Sequence, residues 1–181
     1  MNSAEKVLSE IEKVARQAQL PIIGRERGAV LEEIVKERQP QIVLEIGTNV
    51  GYSTILIAKN LGKGRVISIE LGKNNWQAAK ANIERAGLAK KTELLQGDAL
   101  EIIPSLDGPF DMIFIDAKKE DYLKYLKAAE PKMAKNAVVV ADNVGRFKAE
   151  VKEFLQYVRG NYNSKLHDFG NDGVEVSVRI L

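Results

Sequence analysis

The stretch Val43-Leu44-Glu45-Ile46-Gly47-Thr48-Asn49-Val50-Gly51-Tyr52-Ser53 combines a short apolar run, one carboxylate and two glycines. An apolar run of this length, followed by a glycine-containing loop and an amphipathic segment at 53–61, predicts a buried strand, a turn and a helix. The two glycines let the backbone turn sharply and approach a ligand closely. Their spacing differs from the Gly-x-Gly-x-x-Gly pattern of dinucleotide-binding loops. A carboxylate before the first glycine would repel a pyrophosphate and would suit an ammonium or sulfonium group.

The rest of the chain repeats this alternation of strand and helix. The apolar runs lie at 42–44, 66–69, 92–95, 112–115 and 138–140, and the amphipathic segments at 53–61, 74–86, 100–106, 122–133 and 147–159. Strands that are apolar on both faces indicate a parallel sheet covered by helices. Two segments at 165–169 and 174–180, joined by a turn-rich link, predict a hairpin. We therefore predict an α/β fold with a doubly wound, seven-stranded, mostly parallel sheet and an antiparallel C-terminal hairpin.

Two helices precede the first strand, one ended by Pro21 and one from about 25 to 38. We expect a single domain over 1–181, with N-terminal helices in 1–40 and an α/β core in 41–181. The apolar stripe of the first helix could pack on a second subunit, or the rest of the chain could cover it.

Composition excludes several classes of protein. The chain has 181 residues with no Cys and one His, and 27 Lys and Arg side chains oppose 25 Asp and Glu side chains. A disulfide scaffold, a cysteine nucleophile and a thiolate zinc site are excluded. The basic residues are spread along the chain, unlike those of a nucleic-acid-binding tail. No apolar run approaches the roughly 18 residues of a membrane span, and the first residues lack a signal-peptide pattern, so we expect a cytoplasmic protein.

Acidic residues lie at the ends of the predicted parallel strands, where open α/β sheets bind their ligands. Glu70 ends the second strand, and a carboxylate there can accept hydrogen bonds from both hydroxyls of a ribose. Each feature alone is a weak signal, because Gly47 and Gly51 can serve only a turn and Glu70 can serve only as a strand cap. Together, in this strand order, they predict a nucleoside-binding site.

Asp116, Asp142 and Asn143 follow the fourth and fifth strands, which are neighbours in a doubly wound sheet. Their oxygen atoms suit a hard divalent cation better than zinc. The alternative is that these residues only cap the helices that follow. Lys119 lies three residues after Asp116, where desolvation and a nearby cation would favour the neutral amine that can accept a proton. Without a metal nearby, Lys119 would be an ordinary solvated lysine.

Three motifs together resemble the cation-dependent O-methyltransferases, the class I S-adenosylmethionine-dependent group that contains catechol and caffeoyl-CoA O-methyltransferases. The stretch Val43 to Ser53 resembles their first motif. Phe114-Ile115-Asp116-Ala117-Lys118-Lys119 is similar to their Asp-x-x-Lys signature, and Val140-Ala141-Asp142-Asn143-Val144 is similar to their second metal motif. The segment from Gly24 to Pro40 resembles the one before the first strand of the catechol enzymes. The resemblance covers the chain from about Ile22 to its end.

The resemblance implies S-adenosylmethionine and Mg²⁺, or another divalent cation, as cofactors. Glu45 would hold the amino group of S-adenosylmethionine, Glu70 its ribose, and Asp98 with Ala99 its adenine. The full set implied for this cofactor is Ile23, Glu45, Gly47, Ser53, Glu70, Asp98, Ala99 and Asp116. Asp116, Asp142 and Asn143 would bind the metal, Lys119 would be the general base, and Lys119 and Asn143 would touch the substrate. No acid in the sequence matches the one that contacts catechol in these relatives.

The leading hypothesis is therefore magnesium-dependent transfer of a methyl group to a hydroxyl of a small catechol-like acceptor. A hydroxylated uridine of tRNA is an alternative acceptor, since some relatives act on tRNA. A nicotinamide-dependent oxidoreductase and a non-catalytic nucleoside-binding module are alternatives of other classes. The resemblance also implies a homodimer, and no membrane partner is expected.

Overall fold

The computed structural model describes residues 3–180, and seven strands within them form one sheet. The strands are β1 (Ile42–Ile46), β2 (Arg65–Glu70), β3 (Thr92–Gln96), β4 (Phe110–Ile115), β5 (Met133–Ala141), β6 (Tyr162–Asp168) and β7 (Gly173–Arg179). The helices are α1 (Ser3–Ala18), α2 (Gly24–Arg38), α3 (Tyr52–Asn60), α4 (Lys73–Arg85), α5 (Ala99–Ile102), α6 (Tyr122–Ala129) and α7 (Lys152–Asn161).

The strand order is β3-β2-β1-β4-β5-β7-β6. The first five strands are parallel, and β7 lies antiparallel between β5 and β6. From β1 the chain adds β2 and then β3 on one side of the sheet, and it crosses back to add β4 and then β5 on the other side. The ends of β1 and β4 therefore flank the crevice in which such sheets bind ligands. This arrangement confirms the predicted doubly wound sheet and its antiparallel terminal hairpin.

Helices cover both faces of the sheet, which explains the uninterrupted apolar runs. Val43 and Phe114 belong to the core on the side of α1 to α4, whereas Leu44 and Ile113 belong to the core on the side of α5 to α7. All four side chains are fully buried. Successive residues of a strand point to opposite faces of the sheet. A strand that is buried on both faces therefore favours apolar residues at consecutive positions.

Three predicted helices differ from the structure at their ends. The predicted helix at 100–106 is a single α-helical turn, α5, followed by a 3₁₀ turn at Ile103–Ser105. Similarly, α6 ends at Ala129 and continues as a 3₁₀ turn at Glu130–Lys132. Each 3₁₀ turn contains a proline, which lacks the N–H that an α-helix interior requires. The segment predicted at 147–159 becomes an α-helix only at Lys152.

The chain itself covers most of the apolar stripe of α1, whereas Val14 is exposed. Val7, Leu8 and Ile11 are buried, and α1 packs against α3 and α4. The homodimer stays a prediction. Within the part of the chain that the structure describes, no helix is both long and apolar enough to cross a membrane.

Candidate active site

Backbone hydrogen bonds align the ends of the central strands at one edge of the sheet. The residue that follows each strand donates its N–H to a carbonyl at the end of the neighbouring strand. These bonds are Gly47 N to Ile69 O (3.0 Å), Asp116 N to Ile46 O (2.9 Å) and Asp142 N to Ile115 O (3.1 Å). The loops that carry the predicted site residues therefore start from one edge of the sheet.

A cleft of about 890 Å³ opens over this edge. Most of the predicted site residues line it, namely Gly47, Glu70, Asp98, Ala99, Asp116, Lys119 and Asn143. The others are buried and do not form part of the wall that residues 3–180 make, namely Ile23, Glu45, Ser53 and Asp142. A ligand in the cleft would reach these four only from close range or after side chains in front of them move.

Gly47 is required by the close approach of two loops. Its φ is +98°, and a Cβ at this position would lie 2.3 Å from the carbonyl oxygen of Asp116. An L-residue would be strained there by its backbone conformation and would collide with a neighbouring backbone. The glycine thus lets the loop after β1 lie directly against the loop after β4.

Glu45 is a buried carboxylate with one oxygen left without a partner. Its Oε2 accepts hydrogen bonds from Thr54 and from Ser68, the latter at 2.6 Å. Its Oε1 is buried and accepts no well-formed hydrogen bond from any described residue, although the Ser53 hydroxyl helps to stabilise the charge of this carboxylate. Burial raises the pKa of Glu45 to about 6. A buried acceptor without a donor suits a ligand that brings an N–H group, as the amino group of S-adenosylmethionine would.

Two backbone N–H groups, one of them in the loop after β1, hold the Glu70 carboxylate in place. Its Oε1 accepts a hydrogen bond from Gly72 N at 2.8 Å, and its Oε2 accepts one from Asn49 N at 2.7 Å. The carboxylate thus caps its strand, as the simpler interpretation expects, and it also lines the cleft. Each oxygen has a second lone pair that can accept a hydroxyl proton.

Lys119 lies in a small network with two residues. Its Nζ donates to Asp116 Oδ1 at 2.7 Å and to the Tyr122 hydroxyl at 2.8 Å. The Tyr122 hydroxyl in turn donates to the backbone carbonyl of Asp142 at 3.0 Å. Tyr122 is fully buried, and its ring packs edge-to-face on Phe154. Lys119 is therefore held beside the predicted metal ligands rather than extended into solvent.

Asp142 lies beneath the guanidinium of Arg27. The Arg27 Nε lies 2.7 Å from Asp142 Oδ1, and its Nη2 donates to Oδ2 at 3.2 Å. The Asp142 side chain is completely buried. Burial, reinforced by the nearby charge of Asp116, raises the pKa of Asp142 to about 7 even though Arg27 opposes the shift. This carboxylate is thus incompletely compensated by the residues around it.

Asn143 and Asp172 complete the polar cluster. Asn143 Nδ2 donates to Asp172 Oδ2 at 2.7 Å, and the backbone N–H groups of Arg146 and Gly173 donate to Asp172 Oδ1. Burial alone would raise the pKa of Asp172, but these hydrogen bonds lower it. Because the amide nitrogen of Asn143 serves Asp172, its amide oxygen is the atom that could serve a cation.

The donor set fits a hard divalent cation. It offers two carboxylates, Asp116 and Asp142, and the amide oxygen of Asn143, which are ligand types that Mg²⁺ accepts. Asp142 Oδ1 is buried and is ion-paired with Arg27 Nε at 2.7 Å. No set of three or more His, Cys, Asp or Glu side chains suited to a metal occurs among these residues. The set therefore needs the asparagine, together with water or substrate, to complete a coordination shell.

Sequence reasoning missed three residues of this cluster. Arg27 lies on α2, Asp172 lies in the turn-rich link of the hairpin, and Tyr122 is the first residue of α6. No spacing or motif in the sequence points to Arg27 or Tyr122. Asp172 did carry a signal in the sequence, because it is an acidic residue followed by Gly173 at the start of a strand.

The fold defined by this sheet is that of methyltransferases. The structure of the O-methyltransferase from Bacillus cereus in complex with SAH (S-adenosylhomocysteine) matches it with a TM-score of 0.86 and 28% identity, over 97% of this chain and 91% of that chain. A family model described as O-methyltransferase matches residues 2–171. The chain belongs to the O-methyltransferase family, which confirms the family resemblance seen in its three motifs.

Two bacterial catechol O-methyltransferases are among its relatives. That of Mycobacterium tuberculosis is 40% identical over 133 residues, which are 71% of this chain and 60% of that protein. That of Niastella koreensis is 40% identical over 129 residues, which are 68% of this chain and 58% of that protein. The matched region thus spans about 60% of the length of these two relatives.

Proposed function

We propose that this protein is an S-adenosylmethionine- and divalent-cation-dependent O-methyltransferase that methylates a hydroxyl of a small catechol-like acceptor. One observation carries the proposal: Lys119, a candidate proton acceptor, lies 2.7 Å from Asp116, at the edge of the same cleft that Gly47 and Glu70 line. A base, an oxygen-rich cation site and a nucleoside-binding loop are the components that this reaction needs. The names of the relatives support the reaction class and the acceptor class.

The cofactor end of the cleft is assigned to the loops after β1, β2 and β3. Glu70 would accept the ribose hydroxyls, and Asp98 with Ala99 would contact the adenine. Glu45 Oε1 would receive the amino group from behind the wall, where it has no partner among the described residues. An ammonium there would stabilise the ionised carboxylate, whose pKa burial raises to about 6.

The cation end is assigned to Asp116, Asp142 and Asn143. A divalent ion bound there supplies two effects: it lowers the pKa of the acceptor hydroxyl and orients adjacent acceptor oxygens. Asp116 would then be shared between the ion and Lys119, because both are cations that seek the same carboxylate. The weakening of the Lys119–Asp116 pair would release the amine for proton transfer.

The chemical step assigned to Lys119 is proton acceptance. Its Nζ takes the proton of the acceptor hydroxyl, the acceptor oxygen forms a bond to the methyl carbon, and the carbon–sulfur bond breaks with its electron pair left on sulfur. The products are a methyl ether, a neutral thioether and a protonated lysine. Tyr122 holds Nζ in place during this step, and the walls of the cleft limit the access of water.

Methyl transfer from labelled S-adenosylmethionine tests the proposal. We expect transfer to catechol with Mg²⁺ present and its loss in excess EDTA, while calorimetry still detects S-adenosylhomocysteine binding. Lys119→Ala should lower kcat by at least about 100-fold, the usual contribution of a general base. Lys124→Ala is the matched control, because Lys124 is exposed on α6 and pairs with Asp121.

The same assays also test the alternative acceptor and the alternative activities. Full turnover with EDTA would contradict the cation site, and transfer to bulk tRNA but not to catechol would replace the acceptor class. Binding of NAD in preference to S-adenosylhomocysteine would contradict the cofactor assignment. The family match favours methyl transfer over hydride transfer.

A further inference from the structure

Arg27 places a permanent positive charge on a carboxylate that the proposed cation site requires. Arg27 lies in the first turns of α2, 115 positions before Asp142, and it contacts both oxygens of that carboxylate. Its Nη1 also lies 3.3 Å from Asp172 Oδ2. One guanidinium thus links the start of α2 to the residues that follow β5 and precede β7.

Arg27 lies between the cleft and the carboxylate of Asp142. Arg27 lines the cleft and its side chain is 22% exposed, whereas the side chain of Asp142 behind it is fully buried. A hard divalent cation binds carboxylate oxygens directly. A cation that shares the Asp142 carboxylate with Arg27 is repelled by the guanidinium. An ion that enters from the cleft therefore competes with the guanidinium for the oxygens of Asp142.

The helix that carries Arg27 packs against α3. The next residue, Gly28, lies so close to α3 that a Cβ there would be 2.8 Å from Leu56 Cδ1. The helix is thus packed tightly beside Arg27. Asp172, which Asn143 and two backbone N–H groups fix in place, offers the guanidinium a second carboxylate within reach.

We propose that Arg27 is a resident cation that competes with the divalent ion for Asp142 and so sets the metal affinity of the site. Asp172 retains the guanidinium when the ion takes Asp142. This inference rests on the proposed function, because it requires that a divalent ion bind at Asp116, Asp142 and Asn143.

Calorimetric titration with MgCl₂ or MnCl₂, without cofactor or acceptor, tests it. Arg27→Gln should bind the ion at least about tenfold more tightly than the unmodified chain, because both competition and charge repulsion are removed. Arg27→Lys, which keeps the charge, should stay closer to the unmodified chain. Arg25→Gln is the matched control, since Arg25 lies on the same helix and pairs instead with Glu12 at 3.0 Å. Its affinity should be unchanged.

A second comparison gives a result even if Arg27→Gln folds poorly. Asp172→Asn should weaken ion binding, because the guanidinium then depends on Asp142 alone, and this effect should shrink in an Arg27→Lys background, where the lysine cannot bridge both acids. Circular dichroism and unfolding midpoints verify that each variant is folded.

The outcomes separate this inference from the proposed function. Equal or weaker ion affinity in a folded Arg27→Gln variant, with ion binding intact in the unmodified chain, overturns only the role of Arg27. An absence of ion binding in every variant overturns both the role of Arg27 and the proposed cation dependence. Ion binding that appears only in Arg27→Gln supports the competition in its strongest form.

Discussion

The Nζ atom of Lys119 and the hydroxyl oxygen of Tyr122 lie 2.8 Å apart, with Nζ as the donor. Because the hydroxyl hydrogen of Tyr122 is directed to the Asp142 carbonyl at 3.0 Å, the tyrosine oxygen presents a lone pair to the lysine. Tyr122 therefore couples the predicted base to the backbone of a predicted metal ligand. Since its ring is buried against Phe154, this coupling has a rigid support.

Replacement of Tyr122 by Phe should keep the packed ring and remove only this coupling. We expect kcat to fall by about tenfold with little change in KM, because the loss of one positioning contact affects the proton transfer more than binding. Tyr157→Phe is the control: it removes a hydroxyl on α7 that donates to Glu130 at 2.7 Å. Steady-state kinetics of both variants give the measurement. An equal fall of kcat in the two would show general destabilisation instead.

Glu70→Ala should reduce cofactor affinity. The carboxylate that we assign to the ribose would be lost, and the two backbone N–H groups of Asn49 and Gly72 would lose their acceptor. Removal of a charged hydrogen-bonding partner costs roughly 1.5–3 kcal/mol, which corresponds to a rise of about 10- to 150-fold in the Kd for S-adenosylhomocysteine. Glu93→Ala on β3, which breaks only an exposed pair with Arg65 of β2, should leave this Kd unchanged. Unchanged affinity in Glu70→Ala would remove Glu70 from the cofactor site.

Two glycine variants should have opposite effects on stability. Gly47→Ala introduces a Cβ 2.3 Å from a backbone oxygen at a φ of +98°, so we expect a loss of at least about 2 kcal/mol in the free energy of unfolding. Gly160→Ala, on α7 with no atom within 4 Å of the added Cβ, should be neutral or stabilise by about 0.5–1 kcal/mol. Urea unfolding of the two variants measures this contrast, and similar values for both would contradict the close approach of the loops at Gly47.

The free energy of unfolding should depend on pH through Glu45. Its pKa is about 6 in the folded chain, because burial disfavours the charged form, and 4.5 is its ordinary value. The folded state therefore holds the proton more strongly, and this contribution is complete below pH 4.5 and is lost as the pH rises through 6. The expected loss is about 2 kcal/mol.

Glu45→Gln isolates this effect, because the glutamine has no proton to lose. The difference in unfolding free energy between the unmodified chain and Glu45→Gln should shift by that amount between pH 4.5 and 7, as measured by urea unfolding without cofactor. With S-adenosylhomocysteine present, its ammonium group should reduce the shift. A difference that is constant with pH would show that Glu45 has its ordinary pKa.

The sheet and most of the cleft could be predicted from the sequence because their determinants are local. Five apolar runs separated by amphipathic segments define parallel strands, and the carboxyl ends of such strands share one edge by geometry. Gly47, Glu70, Asp116 and Asn143 are immediate neighbours of those ends. Their arrival in one cleft needs no knowledge of how distant segments pack.

Arg27 and Asp172 could not be placed in this way. The contact of Arg27 with Asp142 depends on how α2 packs on α3, and Asp172 reaches Asn143 only because β7 inserts between β5 and β6. Neither relationship leaves a periodic or spacing signal in the chain. The same holds for the hydrogen bond from Lys119 to the Tyr122 hydroxyl.

The three backbone hydrogen bonds that align the strand ends have a consequence for the hydrogen exchange of backbone amides. Gly47, Asp116 and Asp142 each donate to a carbonyl of the adjacent strand, so their N–H groups belong to the sheet ladder rather than to the loops they begin. Such amides exchange with solvent mainly when the sheet itself opens. The floor of the cleft therefore shares the cooperative unfolding of the whole sheet, and ligand binding needs to order only the side chains above it.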